Sequence, residues 1–138
     1  MRKIGRGIIM LLCLSILVGC GSSKKQPVKP PGLENKLFEI SIETLQVIDD
    51  YIDNKISREV TKEKMEALFY ENYDYFVMLF DESYVYPISD ATYEVYGYLD
   101  FLMKGFILEE YYEGYYLDDQ TILLTRNALA EWLSLEEK

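Results

Sequence analysis

The chemistry open to this chain is bounded first by what it lacks. No histidine occurs among its 138 residues, which removes the commonest general base, the usual partner of a serine or cysteine nucleophile, and the commonest metal ligand. It also removes the Glu-x-x-His pairs that build di-iron sites in helical bundles. No glycine-rich phosphate loop, serine elbow or metal-ligand spacing is present. Asp49, Asp50 and Asp53 form a like-charge cluster, but a calcium loop places its oxygens on a turn with a glycine. The cluster therefore reads as a solvated helix face, and neither a metal nor a cofactor is expected. Carboxylate pairs able to hydrolyse a glycosidic bond occur in any acidic chain and say little.

The unusual residue is tyrosine, present 13 times. Beyond Tyr51, the tyrosines fall into clusters: Tyr70, Tyr73 and Tyr75; Tyr84 and Tyr86; Tyr93, Tyr96 and Tyr98; Tyr111, Tyr112, Tyr115 and Tyr116. Two of these are interleaved with acids, as Tyr70-Glu71-Asn72-Tyr73-Asp74-Tyr75 and Glu109-Glu110-Tyr111-Tyr112-Glu113-Gly114-Tyr115-Tyr116. A rigid ring with one polar tip suits a binding surface. Aromatic faces beside negative charge attract cations, including lysine-rich or arginine-rich peptides and quaternary amines. Tyr70, Tyr73, Tyr111, Tyr112, Tyr115 and Tyr116 are thus the candidate binding residues. The competing reading makes them half-buried core residues beside an acidic face that keeps the domain soluble.

At the other end of the chain, Arg2, Lys3 and Arg6 precede an apolar run of 11 residues from Ile8 to Val18, and small residues surround Cys20. A charged start, a short apolar stretch and a small-residue site make a secretory signal peptide over 1–19. The run is well short of the roughly 20 residues a membrane-spanning helix needs. Leu17-Val18-Gly19-Cys20, followed by Gly21-Ser22-Ser23, resembles the lipobox of bacterial lipoproteins. The resemblance implies that the Cys20 thiol receives a diacylglycerol. It also implies cleavage between Gly19 and Cys20, so that Cys20 becomes the new N-terminus. Two acyl chains hold a protein stably where one holds it marginally. The implied location is the cell membrane, lipid-anchored and facing the extracytoplasmic side. Lys24, Lys25 and Lys29 are placed to sit over anionic head groups. The leader's end, Ser15-Ile16-Leu17-Val18-Gly19, also resembles the apolar peptide pheromones cut from some lipoprotein signals.

Removal of residues 1–19 leaves 119, enough for one domain with a real core. All 24 acidic residues follow Cys20, against 11 basic ones, a formal charge of −13. So acidic a domain should repel nucleic acid. Cys13 leaves with the signal and Cys20 carries the lipid, so no disulfide is expected and helix packing must hold the domain together.

Residues 20–33 read as a flexible, lipidated tether. Gln26-Pro27-Val28-Lys29-Pro30-Pro31-Gly32 favours extended conformers that could lift the domain on the order of 40 Å. Residues 34–138 then carry helical periodicity. Leu37, Ile40, Thr44, Leu45, Ile48, Ile52 and Ile56 predict a helix over 34–56. Thr61 is a plausible N-cap for a second over 62–82, with Val60 and Met65 as a hydrophobic staple and Met65, Leu68, Phe69, Asn72, Phe76, Leu79 and Phe80 keeping helical spacing. After a loop holding Pro87, Ser89 or Asp90 can cap a third helix bearing Ala91, Val95, Leu99, Leu102 and Phe106. Gly97 and Gly105 inside it suggest a close approach or a bend, and Gly114 is placed to stop it. Asp118 caps a fourth, stapled by Leu117 and Ile122, with Leu129, Trp132 and Leu133 buried. The expected fold is all-α, a compact four-helix bundle with up-down-up-down or orthogonal packing.

Three functions compete. A lipid-anchored binding or interaction module for a partner protein or cationic peptide fits the tether, the tyrosine–carboxylate surface and the missing catalytic chemistry, and no enzyme activity is expected. A carboxylate-based cell-envelope hydrolase would need a cleft with a desolvated acid. A structural subunit of a membrane complex would need a large exposed apolar patch.

Overall fold

The computed structural model describes residues 25–85 and 88–138, with the backbone alone for 82–85. The leader expected over 1–19, the expected cleavage between Gly19 and Cys20, the expected lipidation of Cys20 and the rings of Tyr84 and Tyr86 all fall outside the described residues. Among those residues the chain is all-helical: α1 (Asn35–Ile52), α2 (Arg58–Glu71), α3 (Tyr73–Val85), α4 (Asp90–Tyr111) and α5 (Asp119–Trp132). The expected four helices are thus five. No described helix is long and apolar enough to cross a membrane.

Most of the periodic positions fold inward as expected; Phe80 is instead 51% exposed and Trp132 is only half-buried. Leu37, Ile40, Thr44, Leu45 and Ile48 of α1 are buried, with Ser41 and Val47 beside them. The two buried hydroxyls are satisfied within the helix: Ser41 Oγ donates to Leu37 O at 2.6 Å and Thr44 Oγ1 to Ile40 O at 2.8 Å. α4 is the central element and packs against α1, α2 and α5. Its Val95, Leu99, Leu102, Met103 and Phe106 are completely buried.

Several boundaries differ from the expectation. α1 stops at Ile52, four residues before the apolar spacing does, because Asn54 takes a left-handed conformation (φ 57°) that asparagine tolerates better than most residues. The cap of α2 is Ser57, whose Oγ accepts from Val60 N at 3.2 Å. Thr61 is instead buried inside the helix, donating to Ser57 O. The predicted 62–82 helix breaks at Asn72. Its side-chain amide donates to Leu68 O at 2.9 Å, while its own carbonyl accepts from Phe76 N and starts α3. The caps of the later helices are as expected: Ser89 Oγ accepts from Thr92 N and Asp118 Oδ1 from Thr121 N. Leu117 and Ile122 are both buried at the start of α5. Gly105 makes room for that staple, since a Cβ there would lie 2.8 Å from Leu117 Cδ2. α4 ends at Tyr111, with Tyr112 as its extended cap, short of the Gly114 expected to stop it, and Gly114 (φ +85°) serves the turn beyond it.

The segment 28–33, expected as part of a free tether, is fastened to the body. Val28 N donates to Leu133 O at 2.9 Å. Gly32 O accepts from Ser89 Oγ and Thr92 Oγ1. Leu33 joins the core, and Lys29 Nζ donates to Leu33 O at 2.8 Å. A proline-rich strap can dock in this way because its extended backbone leaves carbonyls free to accept bonds from the body.

Candidate functional site

One face of α2 organises the predicted site. Arg58, Lys62, Glu66 and Tyr70 succeed each other at four-residue spacing, which places them in a line on the helix surface. The last turn of α4 lies along that line. Arg58 Nη2 meets Glu109 Oε1 at 2.5 Å and Lys62 Nζ meets Glu110 Oε1 at 3.7 Å. Farther along, Tyr111 lies beside Tyr70 and Glu66.

Arg58 is the hub. Besides Glu109 it donates to Tyr51 Oη at 2.8 Å, to Asp119 Oδ1 at 3.2 Å and to the carbonyl of Leu117. The Tyr116 ring lies over its guanidinium at 4.0 Å, a distance at which cation–π attraction is strong. One cation thus joins the ends of α1, α2, α4 and α5. Burial disfavours its charge, but Glu109 and Tyr51 outweigh that and raise its pKa above the ordinary value. Burial likewise pushes Glu109 up, and Arg58 with the Leu117 N–H brings it below its ordinary range.

The chain between α4 and α5 turns on Tyr115 N to Tyr112 O at 3.0 Å. Four tyrosines therefore surround this turn, Tyr111 and Tyr116 at its edges and Tyr112 and Tyr115 within it. All six candidate tyrosines are exposed, from 39% at Tyr115 to 64% at Tyr111. Tyr70 and Tyr73 both flank the Phe69 ring, at 5.6 and 5.8 Å between centroids. The structure brings Tyr70 and Tyr111 into contact and sets Tyr116 at the Arg58 end of the same line. Neighbouring charge, first Tyr70 and then Glu66, raises the Tyr111 pKa above its ordinary 10.0.

The aspartate cluster is neutralised from elsewhere in the chain. Asp49 accepts a two-pronged bond from Arg126, at 2.8 and 3.1 Å. Asp53 meets Lys138 at 2.5 Å and Lys55 at 3.1 Å, and Asp50 meets Lys55. Arg126 is almost completely buried and also donates to Glu136 O, so it ties α1, α5 and the C-terminal tail together. Among the described residues no three His, Cys, Asp or Glu side chains converge as metal ligands do.

Sequence reasoning missed a second feature. A groove of about 700 Å³ runs along α3 and α4, walled by Leu79, Phe80, Tyr93, Tyr96 and Phe101, within the size range of ligand sites. The half-buried Tyr96 packs there with its ring 5.8 Å from that of Phe76, and burial, then the neighbouring Asp100, raises its pKa. Gly97 lies in the lining, with nothing among the described residues within 4 Å of where its Cβ would be. The signal was present as aromatic residues at Tyr93, Tyr96, Tyr98 and Phe101. Periodicity alone does not say which helix face stays uncovered.

No protein-family model matches the chain, and neither does any curated protein or solved structure.

Proposed function

We propose that the chain is the precursor of a lipid-anchored extracytoplasmic binding module whose ligand is a cationic peptide or a cationic segment of a partner protein. The observation that carries the reading is the exposure of all six tyrosines, of which Tyr111 lies beside Tyr70, Glu66 and Glu110, and Tyr111, Tyr112, Tyr115 and Tyr116 surround a turn that also bears the exposed Glu113. Exposed rings are costly to leave in water and useful to a ligand with both charge and apolar surface.

The anchor rests on the lipobox at Leu17–Cys20, and the docked strap refines its reach. With Val28 held to Leu133, a lipid on Cys20 would be joined to the body by eight residue spans, at most about 28 Å fully extended. The domain would then ride near the bilayer, shorter by a third than a free tether through residue 33 would allow. Lys29, bonded to Leu33 O, holds the strap; Lys25 remains exposed for the head groups.

The test is a titration of fluorescent oligolysine onto the membrane-anchored protein. Binding should appear at low ionic strength and weaken markedly between ~0.02 and ~0.3 M salt as screening shortens to a few ångströms. Serine at Tyr111, Tyr112, Tyr115 and Tyr116 together should weaken it further. Absence of binding at the lowest salt would refute the reading.

A second reading, a subunit of a membrane assembly, has one observation in its favour: Val77, Met78 and Leu124 are exposed apolar side chains. It predicts that the protein leaves the membrane in mild detergent as a complex; a lone processed chain would count against it.

A further inference from the structure

The geometry points to the groove along α3 and α4 as the seat of the apolar face of a cationic amphipathic helix. This rests on the binding reading above and adds to it a separate site and a shape for the ligand. From Tyr93 to Phe101 the groove follows α4 for about 12 Å, at 1.5 Å per residue. That is two turns of a bound helix, which would present apolar side chains at i, i+3 or i+4, and i+7.

Charge selects the class of partner. Between Lys64 and Lys104 the chain has eight acidic residues and no basic one, and this stretch supplies nearly the whole groove. Glu94 lies in the lining, with Asp90 one turn before it and Asp81 beside Phe80, all exposed. An anionic lipid surface would be repelled by such a rim, and a neutral apolar molecule would leave it unused. A helix with lysines flanking its apolar stripe satisfies both the walls and the rim.

Gly97 is the independent mark of a space kept clear. A glycine in a helix interior is unfavourable relative to alanine. Gly105 answers to Leu117, but among the described residues none approaches Gly97. Any side chain there would project into the groove.

The test uses the full chain, processed and held in phosphatidylcholine nanodiscs, with three labelled peptides of about 14 residues. One is a leucine–lysine helix with leucines on one face, one a scramble of the same composition, and one a leucine–glutamate helix of the same pattern. The lysine helix should bind about tenfold more tightly than the scramble, a difference of ~1.4 kcal/mol. Gly97→Leu should abolish that preference while leaving the scramble's binding as it was, and its thermal melt should match or exceed the wild type. Phe101→Ser, at an exposed position, should do the same without filling the groove. The groove assignment is overturned if Gly97→Leu keeps the preference, if the glutamate helix binds equally well, or if phosphatidylglycerol vesicles bind the chain and displace the lysine helix. Failure of both lysine peptides to bind the wild type would sink the cationic-ligand reading as well, whereas equal binding of the two would sink only the groove.

Discussion

Replacing Arg58 with alanine should remove about 3 kcal/mol of folding stability, and the figure follows from what the guanidinium leaves behind. Its partner Glu109 has a side chain only 8% exposed. Without Arg58 that carboxylate keeps the Leu117 N–H, at 3.0 Å, as its principal compensation. Breaking a buried pair by removing one partner costs about 3–5 kcal/mol, because an uncompensated charge stays behind. An exposed pair is worth about 0.2–1 kcal/mol. Arg58 itself is 20% exposed, and its second partner Asp119 is largely in water, so the lower end of the buried range applies. For a domain of this size about 3 kcal/mol corresponds to a fall in Tm of ~12 °C. Urea denaturation of the wild type, Arg58→Ala, Glu109→Gln and the double variant forms a cycle that isolates the pair. The expected coupling is at least ~2 kcal/mol. A loss below ~1 kcal/mol, or additive effects, would mean that Arg58 behaves as a surface charge and does not join the helix ends.

Four further outcomes follow from single positions. Glu109 is held below its ordinary 4.5 by Arg58 and the Leu117 N–H despite its burial; a depressed carboxyl stabilises fully above that value and loses its contribution as pH falls through its folded-state value. The wild-type urea midpoint should therefore drop between pH 4.5 and ~3 more steeply than that of Glu109→Gln, and parallel curves would contradict this. Gly105→Ala should destabilise by about 1–2 kcal/mol, because its Cβ would meet the buried Leu117. Gly97→Ala, with open space above it, should stabilise by up to about 1 kcal/mol; melting shifts of the same sign would refute the contrast. Gly32→Ala forces a side chain into a left-handed backbone (φ +83°) and to 3.0 Å from Ser89 Cβ, which should cost about 1–3 kcal/mol. It should also speed hydrogen exchange at the Val28 amide, and an unchanged rate would mean that the strap is held elsewhere.

The helix faces and two of the caps were legible in the sequence because they are local. Leu37 through Ile48, Ala91 through Phe106, Ser89 and Asp118 each announce themselves within one or two turns. Ser57 and Thr61 both offer a hydroxyl ahead of the same helix, and only the backbone decides which one caps it. The break at Asn72 was hidden because apolar spacing continues through it, from Leu68 and Phe69 to Phe76 and Leu79. Prolines announced an extended segment after residue 26 but not its docking, which depends on Leu133, Ser89 and Thr92 far along the chain. The same distance in sequence concealed the Arg58–Glu109 and Arg126–Asp49 pairs. The tyrosines were conspicuous by number, whereas the meeting of Tyr70 with Tyr111 and the aromatic groove required the packing of helices whose crossing periodicity does not fix.

The anchor is tested most directly by mass spectrometry of the N-terminal peptide after extraction of the protein from its native membrane. The expected species begins at Cys20 and carries a diacylglyceryl group in thioether linkage to Sγ. A chain that retains residues 1–19, or one whose Cys20 thiol is free, would contradict the lipid-anchored reading.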